Sequence, residues 1–189
     1  MIGVTRRILD SMLNYNYGRT LTHDVLNTFM AEVCAIINSR PLVPVSTDPE
    51  NPLILTPAML LTQKTNYVFN SEELGQFNER NLYKVEWKRV QTLAQTFWSR
   101  WRKEYLPLLQ PRRKWFDDRR DIRNGDVVLV KDKEVSRNEW PIGVVVNAIK
   151  GSDGHVRKAE VRIYSSGGKP TVYTRPIVDM ILLVESDIV

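Results

Sequence analysis

Cysteine and histidine are scarce in this chain. Among its 189 residues the only ones are Cys34, His23 and His155. One cysteine cannot form an internal disulfide, and three such side chains cannot build a self-contained Cys/His zinc site. The count excludes a zinc finger and a Cys–His protease, and it leaves little for a Ser–His triad. Cys34 lies within an apolar helical stripe, so we expect it to be buried and unreactive.

Long hydrophobic runs are also missing. No apolar stretch approaches the roughly 18 residues of a membrane span. The first ten residues carry Arg6, Arg7 and Asp10 and show no apolar segment followed by a cleavage site, which argues against a secretory signal. We therefore expect an intracellular protein, nuclear or cytoplasmic and not secreted, with no membrane partner and no small-molecule substrate.

Positive charge is present and unevenly distributed. The formal net charge of +5 divides into −2 for residues 1–83, +7 for residues 84–123 and 0 for residues 124–189. The whole excess lies in one central segment. A local basic segment of this kind favours a polyanionic partner, although a solvated helix face has the same composition.

Apolar spacing predicts helices in the first two thirds of the chain. Thr22 is a good N-cap, and Thr56 precedes a proline at a first helical position. Five prolines between residues 41 and 57 predict an extended loop there, and Pro107 with Pro111 should end the longest helix. The predicted helices cover residues 4–13, about 22–39, 57–61 and 79–105.

After Asn124 the sequence pattern changes from helical spacing to short predicted strands. Runs of β-branched residues alternate with turn signals, and Gly143 suggests a β-bulge. Five short strands in about 60 residues predict a small β-barrel. The predicted strands cover residues 125–131, 141–150, 155–164, 170–177 and 180–185.

The order of these features resembles the C-terminal portion of integrases from Bel/Pao-type LTR retrotransposons. The motifs that carry the resemblance run along nearly the whole chain. They are Ile2-Gly3-Val4, Arg6-Arg7-Ile8-Leu9, Leu21-Thr22, Glu32, Ile37-Asn38-Ser39-Arg40-Pro41-Leu42, Leu55-Thr56-Pro57, Phe97-Trp98, Trp101, Glu104-Tyr105-Leu106, Gly125-Asp126-Val127-Val128, Trp140-Pro141, Gly143-Val144-Val145 and Arg175-Pro176-Ile177.

The resemblance implies an α+β protein in three parts. Residues 1–62 correspond to the C-terminal helices of a truncated RNase H-like catalytic core. Residues 63–121 correspond to a long basic helical linker. Residues 122–189 correspond to a five-stranded SH3-like barrel, the integrase C-terminal domain, which binds DNA and helps multimers to assemble. Helices cut from a larger core should leave apolar faces at Phe29, Val33 and Ile37 without a partner.

The resemblance also implies that the catalytic residues of the family are missing from this chain. In the intact family two aspartates and a glutamate hold two Mg²⁺ ions. The glutamate belongs to a Trp-Glu-Arg stretch at the start of the helix that this chain enters at Met1, so the chain is expected to begin just after it. The zinc-binding N-terminal domain has no counterpart either. We therefore expect no catalytic residue, no metal ligand, no cofactor and no enzyme activity in this polypeptide.

The central segment supplies the predicted nucleic-acid contacts. Its cations can release counterions from phosphates, and Trp115 can stack on bases. Asp117 and Asp118 more simply pair with neighbouring cations, and Trp98 with Trp101 more simply belongs to a helix core. The predicted contact residues are Lys84, Lys88, Arg89, Arg100, Arg102, Lys103, Arg112, Arg113, Lys114, Trp115, Arg119 and Arg120.

Three hypotheses follow. The first is a non-catalytic integrase fragment that binds DNA without reading its sequence, as a homo-oligomer or with other integrase subunits. The second is a protein-interaction module for chromatin or self-association, with Trp140, Tyr164 and Tyr173 as candidate cage aromatics, although core and turn packing explains them more simply. The third is part of an active polynucleotidyl transferase, if the reading frame extends upstream of Met1.

Overall fold

The computed structural model describes residues 2–15, 21–44, 54–64, 81–109, 120–132, 135–163 and 170–186. Within them the chain forms an α+β structure, with helices first and a β-sheet after them. The helices are α1 (Ile2–Tyr15), α2 (His23–Asn38), α3 (Pro57–Thr62) and α4 (Asn81–Leu109). The strands are β1 (Val43–Pro44), β2 (Ile54–Leu55), β3 (Val127–Val130), β4 (Ile142–Lys150), β5 (Val156–Ile163), β6 (Thr171–Pro176) and β7 (Met180–Val184).

Helix ends follow the predicted capping residues, with one exception. The hydroxyl of Thr22 accepts the backbone N–H of Val25, and that of Thr56 accepts the N–H of Met59. Pro107, however, lies inside the last turn of α4, which continues to Leu109. The predicted end at Pro107 is therefore wrong, because near a helix end a proline removes only one hydrogen bond.

The proline-rich loop also differs slightly from its prediction. Val43 pairs with Leu55 and Pro44 with Ile54, so β1 and β2 form a two-residue antiparallel ladder where no regular structure was expected. This pairing closes the described ends of the loop and brings α3 back against α2.

Helix α4 forms the centre of the helical unit, which we define as α1, α2 and α4. Its large apolar side chains pack against the buried faces of α1 and α2. Phe29 and Val33 are buried there and Ile37 packs beside them, so the expectation that this face lacks a partner is wrong. The core residues of this unit are Val4, Ile8, Met12, Phe29, Val33, Ile36, Leu93, Ala94, Phe97, Trp98, Trp101 and Tyr105.

Strands β3 to β7 form one antiparallel sheet in the order β6-β5-β4-β3-β7. The five predicted strands are confirmed to within two residues at each end. Among the described residues β6 pairs only with β5 and β7 only with β3, so the sheet is not closed into a barrel. The prediction of a closed barrel is corrected to an open five-stranded sheet.

The sheet is nevertheless strongly curled. A single 3₁₀ turn, Ile177–Asp179, joins its two edge strands. Edge strands in a flat five-stranded sheet lie about 19 Å apart, whereas four residue steps span at most about 14 Å. The connection from Pro176 to Met180 therefore requires the edges to approach each other at this end.

A close backbone approach, and not a bulge, explains Gly143. A β-carbon at this position would lie 2.5 Å from the carbonyl oxygen of Arg162 and 2.6 Å from Cγ1 of Val161. The register shifts in β4 fall between Val145 and Asn147 and between Ile149 and Lys150. The predicted bulge at Gly143 is thus wrong by three residues.

The two faces of the sheet have different cover. One face encloses an aliphatic core that includes Val128, Val145 and Val161. On the other face Leu129 and Ile181 pack against Leu106 near the end of α4. The end of α4 therefore joins the sheet to the helical unit.

The loop after β3 makes a second junction with the helical unit. Arg137 donates to Oε1 of Gln91 at 2.6 Å and forms an ion pair with Glu32 at 3.3 Å. The indole N–H of Trp140 points to the hydroxyl of Ser39 at 3.3 Å. Both side chains lie in a loop of the sheet but bond to helices.

None of the helices in the described part of the chain is sufficiently long and apolar to cross a membrane.

Candidate nucleic-acid interface

The predicted contact residues fall into two groups. Lys88, Arg89, Arg100, Arg102, Lys103 and Arg120 have described side chains. Lys84 lies in α4 but its side chain is outside the description, and Arg112, Arg113, Lys114, Trp115 and Arg119 lie outside the described residues. For this second group the prediction stands on the sequence.

The solvent face of α4 is basic only near its ends. Lys88 and Lys103 are exposed, and fifteen residues of helix separate them by about 22 Å. Between them the hydroxyls of Thr92, Thr96 and Ser99 each donate to the carbonyl four residues earlier. The described helix therefore presents two separated cations and not a continuous basic stripe.

Arg100 lies where α4 meets α1. Its guanidinium donates to the hydroxyl of Ser11 at 3.1 Å and is 3.9 Å from a carboxylate oxygen of Glu104. Arg7 of α1 approaches the same glutamate at 3.8 Å. Two cations thus share one carboxylate, which leaves positive charge at this edge of the helical unit.

Arg102 faces the sheet. It donates to the backbone carbonyl of Asp132, and its guanidinium carbon lies 5.4 Å from the centroid of the Trp98 ring. Burial lowers the pKa of Arg102, while the charge of Asp132 acts in the opposite direction. This arginine joins α4 to the loop after β3, so its role in the structure is to connect the two units.

Arg120 has a structural partner as well. It lies 3.0 Å from Oδ1 of Asp126 and 3.6 Å from Glu185. The hydrogen bond from Arg120 to Asp126 is the main reason that the pKa of Arg120 is raised, although burial lowers it. Arg120 therefore fixes the point at which the chain enters the sheet.

Asp126 is the buried acceptor at this point. Its carboxylate is fully buried and accepts hydrogen bonds from Arg120, the N–H of Arg123, and the N–H and hydroxyl of Ser186. Burial alone would raise the pKa of Asp126, but these bonds together lower it. The carboxylate holds the residues that enter the sheet beside those that leave it, and we call this arrangement the Asp126 lock.

Two of the tryptophans of α4 are core residues. Trp98 and Trp101 are fully buried, so the interpretation of these two as packing residues is confirmed. Trp140 packs edge-to-face on Trp98 at 5.1 Å and on Tyr105 at 6.0 Å. Trp140 thus belongs to the helical unit and is unavailable for an aromatic cage.

Tyr173 is the candidate cage residue that stays accessible. It is 45% exposed on β6, and the Arg175 guanidinium lies 5.8 Å from its ring centroid. Arg175 also donates to Asp132 at 3.2 Å. Tyr164 is outside the described residues, so the structure shows one exposed aromatic with an arginine and no cage.

Exposed cations of the sheet, among them two lysines, were missed by the sequence analysis. Lys150 and Lys158 are exposed on β4 and β5. The charged and apolar alternation within residues 155–164 was a signal for Lys158. Both lysines lie on the sheet, away from the segment where the positive charge of the sequence concentrates.

No group of three or more His, Cys, Asp or Glu side chains that could hold a metal ion occurs within the described ranges.

Cys34 is exposed, which corrects the prediction that it is buried. Val33 and Ile36 take the buried face of α2, and Cys34 follows Val33 by one residue, which turns it about 100° away.

Comparison with known proteins identifies a family. Residues 85–183 match the family model DUF5641, described as a family of unknown function. No curated protein and no solved structure matches the chain. The matched region begins within α4 and ends within β7, so it contains most of α4, strands β3 to β6 and most of β7.

Proposed function

The chain belongs to DUF5641, a family of unknown function, and we propose, on the motifs that resemble integrases and on its basic segment, that it is a non-catalytic, nucleic-acid-binding part of a retrotransposon integrase. Its ligand is duplex DNA in the context of DNA integration. It binds through the phosphate backbone and without sequence preference, because its excess cations lie in one segment and phosphate contacts carry no base information.

The single observation that carries this proposal is the position of the basic run between two fixed points. Leu109, the last residue of α4, packs against both the helical unit and the sheet. Arg120 is held by the Asp126 lock. The chain thus leads into residues 110–119, which include Arg112, Arg113 and Lys114, from Leu109 at the junction of the two units and continues after them at Arg120, where the sheet begins.

Tethering at both ends favours binding. A basic run on a free terminus loses much chain entropy when it is ordered on a ligand, whereas a run fixed at both ends has already lost part of it. Lys103 is exposed six residues before Leu109 and Arg123 is exposed three residues after Arg120. We propose that these two cations extend the binding surface on either side of the run. We call the surface made by Lys103, the basic run and Arg123 the junction surface.

The sheet supports the finer assignment to an SH3-like C-terminal domain. Its five antiparallel strands occupy the part of the chain that the integrase resemblance gives to that domain. Its curl brings the edge strands together through one short turn, as a small barrel requires. We propose that residues 122–189 are a partly open member of this class and that α4 is the helix preceding it.

The test is a salt titration of duplex binding. Fluorescence anisotropy with two unrelated duplexes of about 20 base pairs should give equal affinities that fall steeply with salt concentration. Charge reversal of the run (R112E, R113E and K114E together) should reduce the slope of log K against log salt by about 2 to 3, because each lost phosphate contact contributes about 0.9.

A charge-matched control separates the junction surface from bulk charge. Lys150, Arg157 and Lys158 are exposed on the β4–β5 hairpin, and the variant K150E, R157E, K158E changes the net charge equally. This control should retain most of the slope. If both variants lost the same part of the slope, net charge alone would explain the binding, which would contradict a localised surface. Salt-independent binding, or a strong preference for one duplex, would also contradict the proposal.

A further inference from the structure

The first turns of α4 extend beyond the core of the helical unit. Val90 is the first buried residue of this helix among the side chains that the structure describes, and Val85, Trp87 and Lys88 before it are exposed. The exposed fraction is 67% for Val85 and 40% for Trp87. Side chains two positions apart in an α-helix point about 200° apart, so this part of α4 is open to solvent on opposite sides.

Trp87 differs in this respect from two other tryptophans of the same helix. Trp98 and Trp101 are fully buried in the core, whereas Trp87 keeps part of its indole ring in contact with solvent. Tryptophan is a highly buried residue on average. An indole ring that stays exposed on a regular helix is therefore available to a ligand without any rearrangement of the core.

The residues around Trp87 carry positive charge. Lys88 follows it directly and is exposed, and no acidic side chain within the described ranges pairs with the ammonium group of Lys88. An exposed aromatic ring next to such a cation suits single-stranded nucleic acid, because a base stacks on the ring while the cation contacts a phosphate. Residues 84–89 have a net charge of +2, from the cations Lys84, Lys88 and Arg89 and the anion Glu86.

This part of α4 is distant from the junction surface. The helix from residue 87 to residue 109 has a length of about 33 Å. The ligand that suits Trp87 is also different, because a base inside a duplex is stacked between its neighbours, whereas an unpaired base presents a free face to an aromatic ring. The two areas therefore suit different parts of a nucleic acid.

We propose that Trp87 and Lys88 form a second nucleic-acid site, which binds single-stranded DNA. One unpaired base stacks on the indole ring of Trp87, and the ammonium group of Lys88 holds a neighbouring phosphate. The site does not read sequence, because every base has a face that can stack. This inference rests on the nucleic-acid-binding function proposed above and adds a second class of ligand to it.

The test compares the affinities of the full chain for an oligothymidylate of about 12 nucleotides and for a blunt duplex. Trp87→Ala should raise the dissociation constant of the oligothymidylate on the order of tenfold and change that of the duplex by about twofold or less. Trp87→Phe keeps an aromatic ring and should stay within about threefold of the wild type. Trp87→Leu keeps apolar bulk without a ring and should behave as Trp87→Ala does. Lys88→Ala should reduce the slope of log K against log salt for the single strand by about 0.7.

Tryptophan fluorescence reports the stacking directly. The background variant Trp115→Phe removes the other tryptophan that is predicted to stack. In this background the oligothymidylate should quench the emission of the chain, and the quenching should be absent once Trp87→Phe is added. Val85→Ala is the matched control, because it shortens an exposed apolar side chain in the same turns and should leave both affinities unchanged.

The results that would overturn the single-strand site are distinct from those that bear on duplex binding. A wild-type chain that binds the duplex and not the oligothymidylate would overturn this site alone, whereas a chain that binds neither would overturn the proposed function as well. Equal weakening of both ligands by Trp87→Ala would also overturn the site. So would full affinity in Trp87→Leu or equal weakening by Val85→Ala, since an apolar contact with a protein would then explain the exposed side chains.

Discussion

The helical unit and the sheet are stabilised in different ways. The core of the helical unit depends on a few large aromatic side chains, with Phe97, Trp98 and Trp101 supplied by α4 alone. The described core of the sheet contains no aromatic residue and is mostly aliphatic, and a buried polar group, the Asp126 lock, holds its entry and exit together. In the helical unit, single large residues make the contacts between segments that are distant in sequence. In the sheet, the stability is distributed over many pairs between neighbouring strands.

The largest expected effect follows from removing one of those aromatic anchors. Trp98 is fully buried and contacts the ring of Trp140 and the guanidinium of Arg102. Trp98→Ala should lower the free energy of unfolding by about 4 kcal/mol, because it removes a large apolar surface and leaves a cavity. Urea denaturation followed by circular dichroism at 222 nm measures this change.

Trp87 provides the matched control on the same helix. It is 40% exposed, so Trp87→Ala should change the free energy of unfolding by about 0.5 kcal/mol or less. Hydrogen exchange adds the regional test: amides of α1 and α2 should lose protection in Trp98→Ala before those of β3 and β4. Uniform loss in both units would contradict the distinction drawn between them.

The second effect concerns the Asp126 lock. Asp126→Asn keeps the shape but removes the charge that Arg120 faces, and its amide N–H₂ opposes one of the N–H donors. We expect a loss of about 3 kcal/mol in the free energy of unfolding, since breaking a buried pair leaves its partner groups unsatisfied. Asp153→Asn is the control, because the carboxylate of Asp153 lies in an exposed turn beside Arg157, where an ion pair contributes little.

The Asp126 lock also predicts a pH dependence. The pKa of Asp126 in the folded protein lies below its ordinary value, so folding favours the charged form. Its contribution is fully present above the pKa of the unfolded state, about 3.9, and is lost as the pH falls through the lower folded value. Between pH 6 and pH 3 the wild type should therefore lose more stability than Asp126→Asn, and parallel pH curves would contradict this assignment.

Local patterns allowed much of the fold to be predicted. The strands from Val127 onward lie between turns, and their β-branched alternation depends on neighbouring residues alone. The N-cap at Thr22 and the burial of Trp98 follow in the same way from short-range spacing. In each case the physical cause lies within about one turn or one hairpin of the residue concerned.

The arrangement of the units required tertiary information. The spacing in α4 indicates an apolar stripe but not the partner, so the helix was interpreted as a linker, whereas it covers Phe29 and Val33. The partners of Trp140 could not be predicted for the same reason, because they lie near the end of α2 and on α4. For the candidate site, the sequence could identify the cations but could not show that Arg102 and Arg120 have structural partners.

The smallest effects come from two glycines and test the sheet against a helix. Gly143→Ala should lower the free energy of unfolding by about 2 kcal/mol, because the new methyl group meets the backbone of Arg162 and the side chain of Val161 in a close-packed region. Gly3→Ala in α1 meets no atom within 4 Å and should stabilise by about 0.5 kcal/mol, since alanine favours helix over glycine. Chemical denaturation of both variants gives the two signs. A neutral Gly143→Ala would mean that β4 and β5 can move apart, and the sheet would then be less dependent on exact local pairing than the close approach of these two strands indicates.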